Sequence, residues 1–181
     1  MRRIAGLIGL ATLTATGAAR AELVAGDVAP DFTAPAAIGG EQFSFTLSEA
    51  LKKGPVVLYF YPAAFTSGCT VEAHEFASAL DRYRALGASV VGVSGDTIAT
   101  LKKFSVSECQ SKFPLVADTD RKVMKAYDSV MIPFTSYASR TSYVITPDHL
   151  LLYVYKAMSP EEHVTNTYNA LAAWREQHPA E

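Results

Sequence analysis

Residues 56–70 read VVLYFYPAAFTSGCT, and this stretch decides the fold class of the chain. Its first six residues are apolar or aromatic without interruption, a run typical of a strand that is buried on both faces of a sheet. Pro62 ends the run, and Cys69 follows at the start of a segment with helical periodicity. A cysteine at such a strand-to-helix junction is either half of a structural disulfide or a reactive thiol.

The segment after Cys69 alternates helical and strand patterns. Apolar side chains recur at helical spacing up to Leu86, and Gly87 ends the helix. The sequence then predicts a strand at residues 89–93, a helix from Asp96 or Thr97 through residue 104, a strand at residues 113–116, and a helix from Asp118 or Thr119 to residue 127.

Hairpin patterns flank this alternating region on both sides. Residues 23–50 predict an N-terminal β-hairpin extension with its turn at Gly39 and Gly40, followed by a short helix at residues 46–50. Residues 142–145 and 150–155 predict two antiparallel strands around a turn at residues 146–149. A last helix is predicted from residue 159 to residue 177, with Pro160 in its first turn.

The alternation of strands and helices predicts an α/β sandwich around a central mixed β-sheet. In this arrangement the residues 56–61 strand is central, and the strand-to-helix junction lies at its carboxyl end. Open α/β folds bind ligands at that end of their strands, so Cys69 lies where the fold favours chemistry.

Composition narrows the class of protein. Nearly half of the 181 residues are hydrophobic (49%), which is enough for a proper core in one domain. The formal net charge is −2, and the basic residues are scattered along the chain. Neither a nucleic acid nor an anionic membrane surface is therefore expected as a partner.

The first 21 residues have the layout of a secretory signal peptide. Met1, Arg2 and Arg3 form a short positive region, residues 4–19 contain no acid or base, and residues 19–21 fit a small-x-small cleavage site. The alternative is an uncleaved anchor, but the run is shorter than the roughly 20 apolar residues that span a bilayer. We expect an exported, periplasmic protein without stable membrane association, in which residues 22–181 form the single domain.

The two cysteines, Cys69 and Cys109, are too few for a disulfide scaffold and lack zinc-site spacing. Export itself favours a structural disulfide between them. The histidines at positions 149, 163 and 178 are scattered, and His74 is interpreted as a solvated helix residue. We therefore expect no metal and no cofactor.

A family resemblance gives the site a chemical interpretation. The pattern Pro62-x-x-x-Thr66-x-x-Cys69 resembles the PxxxTxxC active-site loop of peroxiredoxins, and residues 59–76 most resemble the bacterioferritin-comigratory, or Q-type, branch. Residues 26–32, residues 113–118 and the segment that begins at Arg140 resemble further family segments, so the resemblance covers nearly all of residues 26–178. It implies a thioredoxin-like fold and reduction of hydrogen peroxide and organic hydroperoxides through a sulfenic acid at Cys69.

The chemistry explains why these residue types are needed. A thiolate attacks the peroxide, but a free cysteine with a pKa of about 8.5 is only a few per cent ionised at neutral pH. A helix N-terminus usually contributes about 0.3–1 kcal/mol to anion stabilisation, so a cation is also needed, and Arg140 is the candidate. The Thr66 hydroxyl and amides near Gly68 are expected to orient the O–O bond and stabilise the leaving oxygen, while Pro62 shields the thiolate.

Two departures from the Q-type pattern affect the pocket and the second thiol. Residues 63–65 are Ala-Ala-Phe, which predicts an apolar mouth to which Phe65 contributes. Many members of the branch carry a second cysteine five residues after the first, where this chain has His74. Cys109 is then the expected resolving thiol, reached by local unwinding; the alternatives are a buried bystander or a permanent disulfide.

The resemblance also bears on partners. If Cys69 and Cys109 cannot meet, the enzyme uses one cysteine and is reduced by an outside thiol. The expected reductant is a thioredoxin-like protein or a small thiol, and a monomer is favoured over a dimer.

Other functions remain open at this point. A thioredoxin-like dithiol oxidoreductase would require Cys-x-x-Cys, but residues 66–69 are Thr-Ser-Gly-Cys, and Arg140-Thr141 stands where a proline is expected. A non-catalytic binding domain on the same fold is the third hypothesis. Glu72 is interpreted either as an ordinary first-turn acid or as a residue that orients Arg140, and Phe76 and Trp174 are interpreted as packing residues.

Overall fold

The computed structural model describes residues 22–179, so the predicted signal peptide at residues 1–21 lies outside the described residues. The strands are β1 (Thr33–Ile38), β2 (Glu41–Thr46), β3 (Val56–Phe60), β4 (Ser89–Ser94), β5 (Leu115–Ala117), β6 (Thr141–Ile145) and β7 (Leu151–Lys156). The helices are α1 (Leu47–Leu51), α2 (Ser67–Ala85), α3 (Ile98–Ser107), α4 (Lys122–Ala126) and α5 (His163–Gln177). Within this part of the chain, no helix is both long and apolar enough to cross a membrane.

The strands form one mixed seven-stranded sheet in the order β2-β1-β5-β4-β3-β6-β7. Strand β3 lies near its centre, parallel to β4 and antiparallel to β6. The β1–β2 hairpin extends the sheet at the β5 edge, with β1 antiparallel to β5. The predicted fold class, a thioredoxin-like sandwich with a central mixed sheet and an N-terminal hairpin extension, is confirmed.

Alternating side chains of β3 belong to two separate cores, one on each face of the sheet. Val57 and Tyr59 pack in the core that contains apolar residues of α2, α3 and α5. Val56, Leu58 and Phe60 pack in the opposite core, with residues of α1 and α4. All five β3 residues are buried, as the uninterrupted apolar run predicts.

Three predicted element boundaries are wrong, each because of a specific local contact. The last helix begins at His163 rather than at residue 159, because the carbonyls of Ala157 and Met158 lie against buried side chains, His163 and Arg140. Helix α4 begins at Lys122, where the Asp118 carboxylate accepts hydrogen bonds from the amides at positions 123 and 124.

The third boundary error concerns β5, which begins at Leu115 rather than at residue 113. Pro114 has no amide hydrogen to donate to the ladder. Its carbonyl accepts from the Gly92 amide at 3.1 Å, and regular pairing with β4 begins at the next residue.

Two buried tyrosines of the same core offer a matched test of how hydroxyl groups contribute to stability. The Tyr83 hydroxyl donates to the Val164 carbonyl and lies 2.8 Å from the Thr167 hydroxyl. The Tyr59 hydroxyl is buried without a hydrogen-bond partner among the described residues. A buried polar group without a partner is destabilising by about 1–3 kcal/mol.

We expect Tyr83→Phe to lower the free energy of unfolding by about 1–2 kcal/mol. Tyr59→Phe should leave it unchanged or raise it, because no hydrogen bond is lost and the ring retains its stack on Phe76, with centroids 4.4 Å apart. Urea denaturation of the two variants measures the difference. Equal losses would show that the Tyr59 hydroxyl is bonded in solution.

Candidate active site

The site is built where β3 passes into α2. Thr66 is the N-cap residue of α2, and Cys69 lies in the helix's first turn. The loop between the two elements is tied to the loop after β4, because the Ala64 amide donates to an Asp96 carboxylate oxygen at 2.8 Å. Phe65 has φ 64°, in the left-handed region that non-glycine residues rarely adopt. The chain therefore reverses sharply to present the start of α2 at the carboxyl end of β3.

Cys69 is buried, with 2% of its surface exposed, and its sulfur contacts Arg140. The Nη2 atom of Arg140 lies 3.5 Å from the Cys69 sulfur, although the two residues are 71 positions apart in the sequence. The pairing of β3 with β6 explains the contact: Phe60 and Thr141, the residue after Arg140, are register partners at the end of β3. The contact that the sequence predicts between Arg140 and Cys69 is present.

The guanidinium of Arg140 is held by acceptors on two other elements. Its Nε donates to the Met158 carbonyl at 3.0 Å, and its Nη1 donates to Oε2 of Glu72 in a short hydrogen bond. A guanidinium has five N–H donors in a fixed planar fork, so these two bonds determine the direction in which Nη2 points. Arg140 is 3% exposed, so this geometry is shielded from water.

The structure favours the second interpretation of Glu72, that of a residue that orients Arg140. It lies one turn after Cys69 in α2, is fully buried, and pairs with Arg140. Burial raises the pKa of Glu72 to about 8, against the opposing effect of the Arg140 charge. Its position three residues after Cys69 is the signal that places both side chains on one face of the helix.

His163 and Ser142 are site neighbours that the sequence reasoning missed. Nδ1 of His163 lies 2.8 Å from the Ser142 hydroxyl and 3.7 Å from Oε1 of Glu72. Burial lowers the pKa of His163, and the positive charge of Arg140 lowers it further. Their spacing in the sequence matches no motif that could have identified them, since His163 approaches Glu72 and Ser142 only through the packing of α5 against α2 and β6.

The Thr66 hydroxyl does not accept a hydrogen bond from an amide of the first helical turn, as an N-cap side chain usually does. It donates to the Ala63 carbonyl at 2.9 Å and makes no capping hydrogen bond. A hydroxyl that donates one hydrogen bond retains two acceptor lone pairs. Thr66 is thus exposed beside the helix start with its acceptor capacity available.

Pro62, Phe65 and Gly68 lie in the loop and the first helical turn that lead from β3 to Cys69. Pro62 is half-buried in the loop after β3. Phe65 is 51% exposed and packs edge-on against Phe104 of α3, with centroids 5.0 Å apart. A Cβ atom at Gly68 would lie 3.2 Å from Nη2 of Arg140, so the absence of a side chain there gives the guanidinium room.

Cys109 lies in the turn after α3, as a free thiol that is fully buried. Burial raises the pKa of Cys109, and the neighbouring Glu108 carboxylate adds to the effect. His74 of α2 is exposed, as expected of a solvated helix residue, and its Nε2 lies 2.8 Å from a carboxylate oxygen of Glu108. Cys69 is also free, and no disulfide joins the two thiols.

The acids, histidines and cysteines of residues 22–179 form no group of three or more that could hold a metal ion. The site chemistry available in this part of the chain is that of a thiol beside a buried cation and a carboxyl group.

Comparison with known proteins agrees with this geometry. The family model described as AhpC/TSA matches residues 25–154. The chloroplastic peroxiredoxin Q of Triticum aestivum is 35% identical over 154 residues, which cover 84% of this chain and 68% of the relative. The corresponding protein of Populus jackii is 33% identical over 148 residues, covering 81% and 67% of the two chains.

Solved structures agree as well. The peroxidoxin BcpB of Mycobacterium tuberculosis superposes with a TM-score of 0.77 at 31% identity, over 84% of this chain and 98% of that one. A mutant of Xylella fastidiosa PrxQ gives a TM-score of 0.76 at 26% identity, over 86% and 99% of the two chains. These matches favour the peroxidase over a dithiol oxidoreductase or a non-catalytic domain, and the chain belongs to the AhpC/TSA family of peroxiredoxins, as a thiol-dependent peroxidase.

Proposed function

We propose that Cys69 is the thiol that reduces hydrogen peroxide and organic hydroperoxides. The observation that supports this assignment is the 3.5 Å contact between its sulfur and Nη2 of Arg140, at the start of α2. The thiolate sulfur attacks the terminal peroxide oxygen, an S–O bond forms and the O–O bond breaks. Cys69 becomes a sulfenic acid, and the leaving oxygen takes up a proton to give water or an alcohol.

Two features of the site stabilise the negative charge that the sulfur and then the leaving oxygen carry during this reaction. Two unit charges 4 Å apart attract by about 4 kcal/mol at an effective dielectric constant of about 20, and Arg140 is always charged. The N-terminus of α2 adds a smaller contribution, because its first amides have no partner within the helix. Together they stabilise the thiolate and then the leaving oxygen.

The remaining loop residues are proposed to orient the peroxide. Thr66 accepts from the peroxide O–H, since its hydroxyl keeps free lone pairs. Amides near Gly68 donate to the developing anion, as in an oxyanion hole. Pro62 and the exposed Phe65 form the apolar mouth of the pocket and limit the access of water to the sulfur.

Cys109 is the proposed resolving thiol. Disulfide formation requires Cα atoms within about 7 Å, and both thiols are buried and free. We propose that the turn that contains Cys109 opens to bring the two sulfurs together. Its next two residues, Gln110 and Ser111, have φ 52° and 57°, and such left-handed conformations of non-glycine residues store strain. This strain favours local unwinding at the turn, while reduction of the sulfenic acid by an outside thiol is the alternative.

The reducing partner and the compartment follow from the remaining sequence features. Peroxiredoxins act with thioredoxin-type reductants, and we propose a thioredoxin-like protein or a small thiol for this chain. The pattern of residues 1–21 supports export to the periplasm. A monomer is the proposed state, with a dimer as the alternative.

The assignment of Cys69 and Arg140 is tested by stopped-flow measurement of the second-order rate constant with hydrogen peroxide. Cys69→Ser should abolish the reaction. Arg140→Lys should lower the rate constant by about 10²–10³-fold, because an ammonium cannot donate to Met158, Glu72 and the sulfur in one plane. Arg175→Lys is the control, since Arg175 binds the Leu86 carbonyl away from the site. A Cys69→Ser protein with the original rate would refute the assignment.

A second prediction separates activity from stability. Gly68→Ala places a methyl group 3.2 Å from Nη2 of Arg140, whose other nitrogens are fixed by Met158 and Glu72. Alanine in a helix is favoured over glycine by about 0.5–1 kcal/mol. We expect the melting temperature to hold or rise while the rate constant falls about tenfold. Ser67→Ala, one residue earlier, serves as the control, and an unimpaired Gly68→Ala enzyme would contradict the proposed guanidinium position.

The role of Cys109 is tested by Cys109→Ser. The first step should keep its rate, because the Arg140–Cys69 contact does not involve Cys109, but the product should remain a sulfenic acid that dimedone traps. Mass spectrometry of the peroxide-treated protein distinguishes this adduct from an intramolecular disulfide. Wild-type protein that also stays at the sulfenic acid would indicate the one-cysteine mechanism.

A further inference from the structure

Three buried polar side chains are linked to the Arg140–Cys69 contact, and two of them, Ser142 and His163, have no role in the mechanism so far. Glu72 of α2, Ser142 of β6 and His163 of α5 each have no exposed surface. Buried polar groups in a native core are normally fully paired. One atom of this set, Oε1 of Glu72, has no hydrogen-bond partner among residues 22–179. The unpaired atom suggests that the set holds a proton.

The hydrogen-bond partners of His163 identify its tautomer. Its Nε2 lies 2.9 Å from the Ala157 carbonyl, which can only accept, so Nε2 carries the hydrogen. In the neutral imidazole, Nδ1 is then an acceptor. It lies 2.8 Å from the Ser142 hydroxyl, which can donate, and 3.7 Å from Oε1 of Glu72.

The single lone pair of Nδ1 accepts from Ser142, so neutral His163 has no hydrogen to donate to Oε1 of Glu72. A buried carboxylate oxygen 3.7 Å from a ring nitrogen without a hydrogen gains no hydrogen bond, and the uncharged carboxyl group is therefore favoured at this position. The directions of the two pKa shifts agree with this placement: burial raises the pKa of Glu72 to about 8 and lowers that of His163.

We propose that His163 is a positioning residue for the peroxidase reaction, because as the neutral Nε2–H tautomer it offers Oε1 of Glu72 no hydrogen-bond donor and thereby keeps that carboxyl group uncharged. The charge of Arg140 is then directed to Cys69 and is not neutralised by Glu72. This inference rests on the proposed role of Cys69 as the reactive thiol.

The charge balance gives the consequence for the reaction. With the proton in place, Arg140, Glu72 and His163 together carry one positive charge next to the sulfur. When the proton is lost, Glu72 becomes a carboxylate and the net charge of the three groups falls to zero. The thiolate and the leaving oxygen then lose part of their stabilisation, so reactivity should fall as the pH rises past the pKa of Glu72, about 8.

Other ionisable groups face this set from the surrounding elements. They are Cys69 and Glu75 of α2, Tyr59 of β3, Tyr155 of β7, and Glu161 before α5. Burial raises the pKa of Tyr59, which stays neutral, and Tyr155 packs edge-on against His163 while its hydroxyl donates to Glu162. Glu75 raises the pKa of Glu72 and thus favours retention of the proton.

The test is the pH profile of the second-order rate constant with hydrogen peroxide. For the wild-type protein we expect a falling limb above about pH 8. In His163→Gln, the amide can donate to Oε1 of Glu72, which neutral Nδ1 cannot, so the ionised carboxylate is favoured. The falling limb should move to lower pH, with a loss of about tenfold at pH 7. His178→Gln, the same change at the other end of α5, should leave the profile unchanged.

A double variant tests whether both residues act through one proton. Glutamine at position 72 imitates the uncharged carboxyl group, so the falling limb should be absent in Glu72→Gln. Adding His163→Gln should then cause no further change in the shape of the profile, because coupled sites are non-additive. The inference would be overturned if folded His163→Gln kept the falling limb in place. It would also be overturned if His163→Gln shifted the limb equally in the wild-type and Glu72→Gln proteins.

Two spectroscopic measurements on the wild-type protein keep the inference testable if His163→Gln does not fold. Nitrogen-15 NMR of the histidines should show one imidazole protonated at Nε2, and infrared spectroscopy should show a carboxylic acid band at pH 7 that is absent in Glu72→Gln. An Nδ1-protonated His163, or no such band, would refute the proton placement. Both signals should persist in Cys69→Ser, whose activity tests the thiol assignment separately.

Discussion

The antiparallel pairing of β3 with β6 is the constraint on which the site depends. Register partners Phe60 and Thr141 place Arg140 beside the carboxyl end of β3, where the chain turns into α2. Because side chains alternate between the faces of a sheet, a slip of one residue would send the guanidinium to the opposite face. The two separate cores on either side of β3 make such a slip costly, since every buried residue of the strand would then face the wrong core.

The same pairing explains how a charged group is tolerated in the interior. A buried cation is unfavourable unless it is paired and its donors are satisfied. Arg140 has a carbonyl, a carboxyl group and a sulfur as acceptors, supplied by the segment before α5 and by two successive turns of α2. The irregular residues 157–162 are therefore part of the site, since a helix through them would use the Met158 carbonyl for its own hydrogen bonds.

Most of the fold could be predicted from the sequence, because burial on both faces of β3 and the helical period of α2 are local patterns. Two of the three boundary errors occur where a side chain binds a backbone group, as Asp118 does at the start of α4, and the third reflects the missing amide hydrogen of Pro114 before β5. In the site, Thr66 and Cys69 belong to one sequence motif, and Arg140 begins a second segment that resembles the family. His163 and Ser142 could not be identified, because the approach of His163 to Glu72 and its contact with Ser142 arise from the packing of α5 against α2 and β6.

The environments of the two thiols impose an order on the chemistry. Cys69 lies at a helix start beside a cation, whereas Cys109 lies in the apolar core, where burial raises its pKa. A buried thiol that is disfavoured as an anion is a poor nucleophile, so in the closed fold Cys109 is less suited than Cys69 to the proposed attack on peroxide. If the turn after α3 opens, Cys109 enters water and its pKa returns towards the ordinary value. In the proposed mechanism, opening would both move the second sulfur and activate it, so that resolution would follow peroxide reduction.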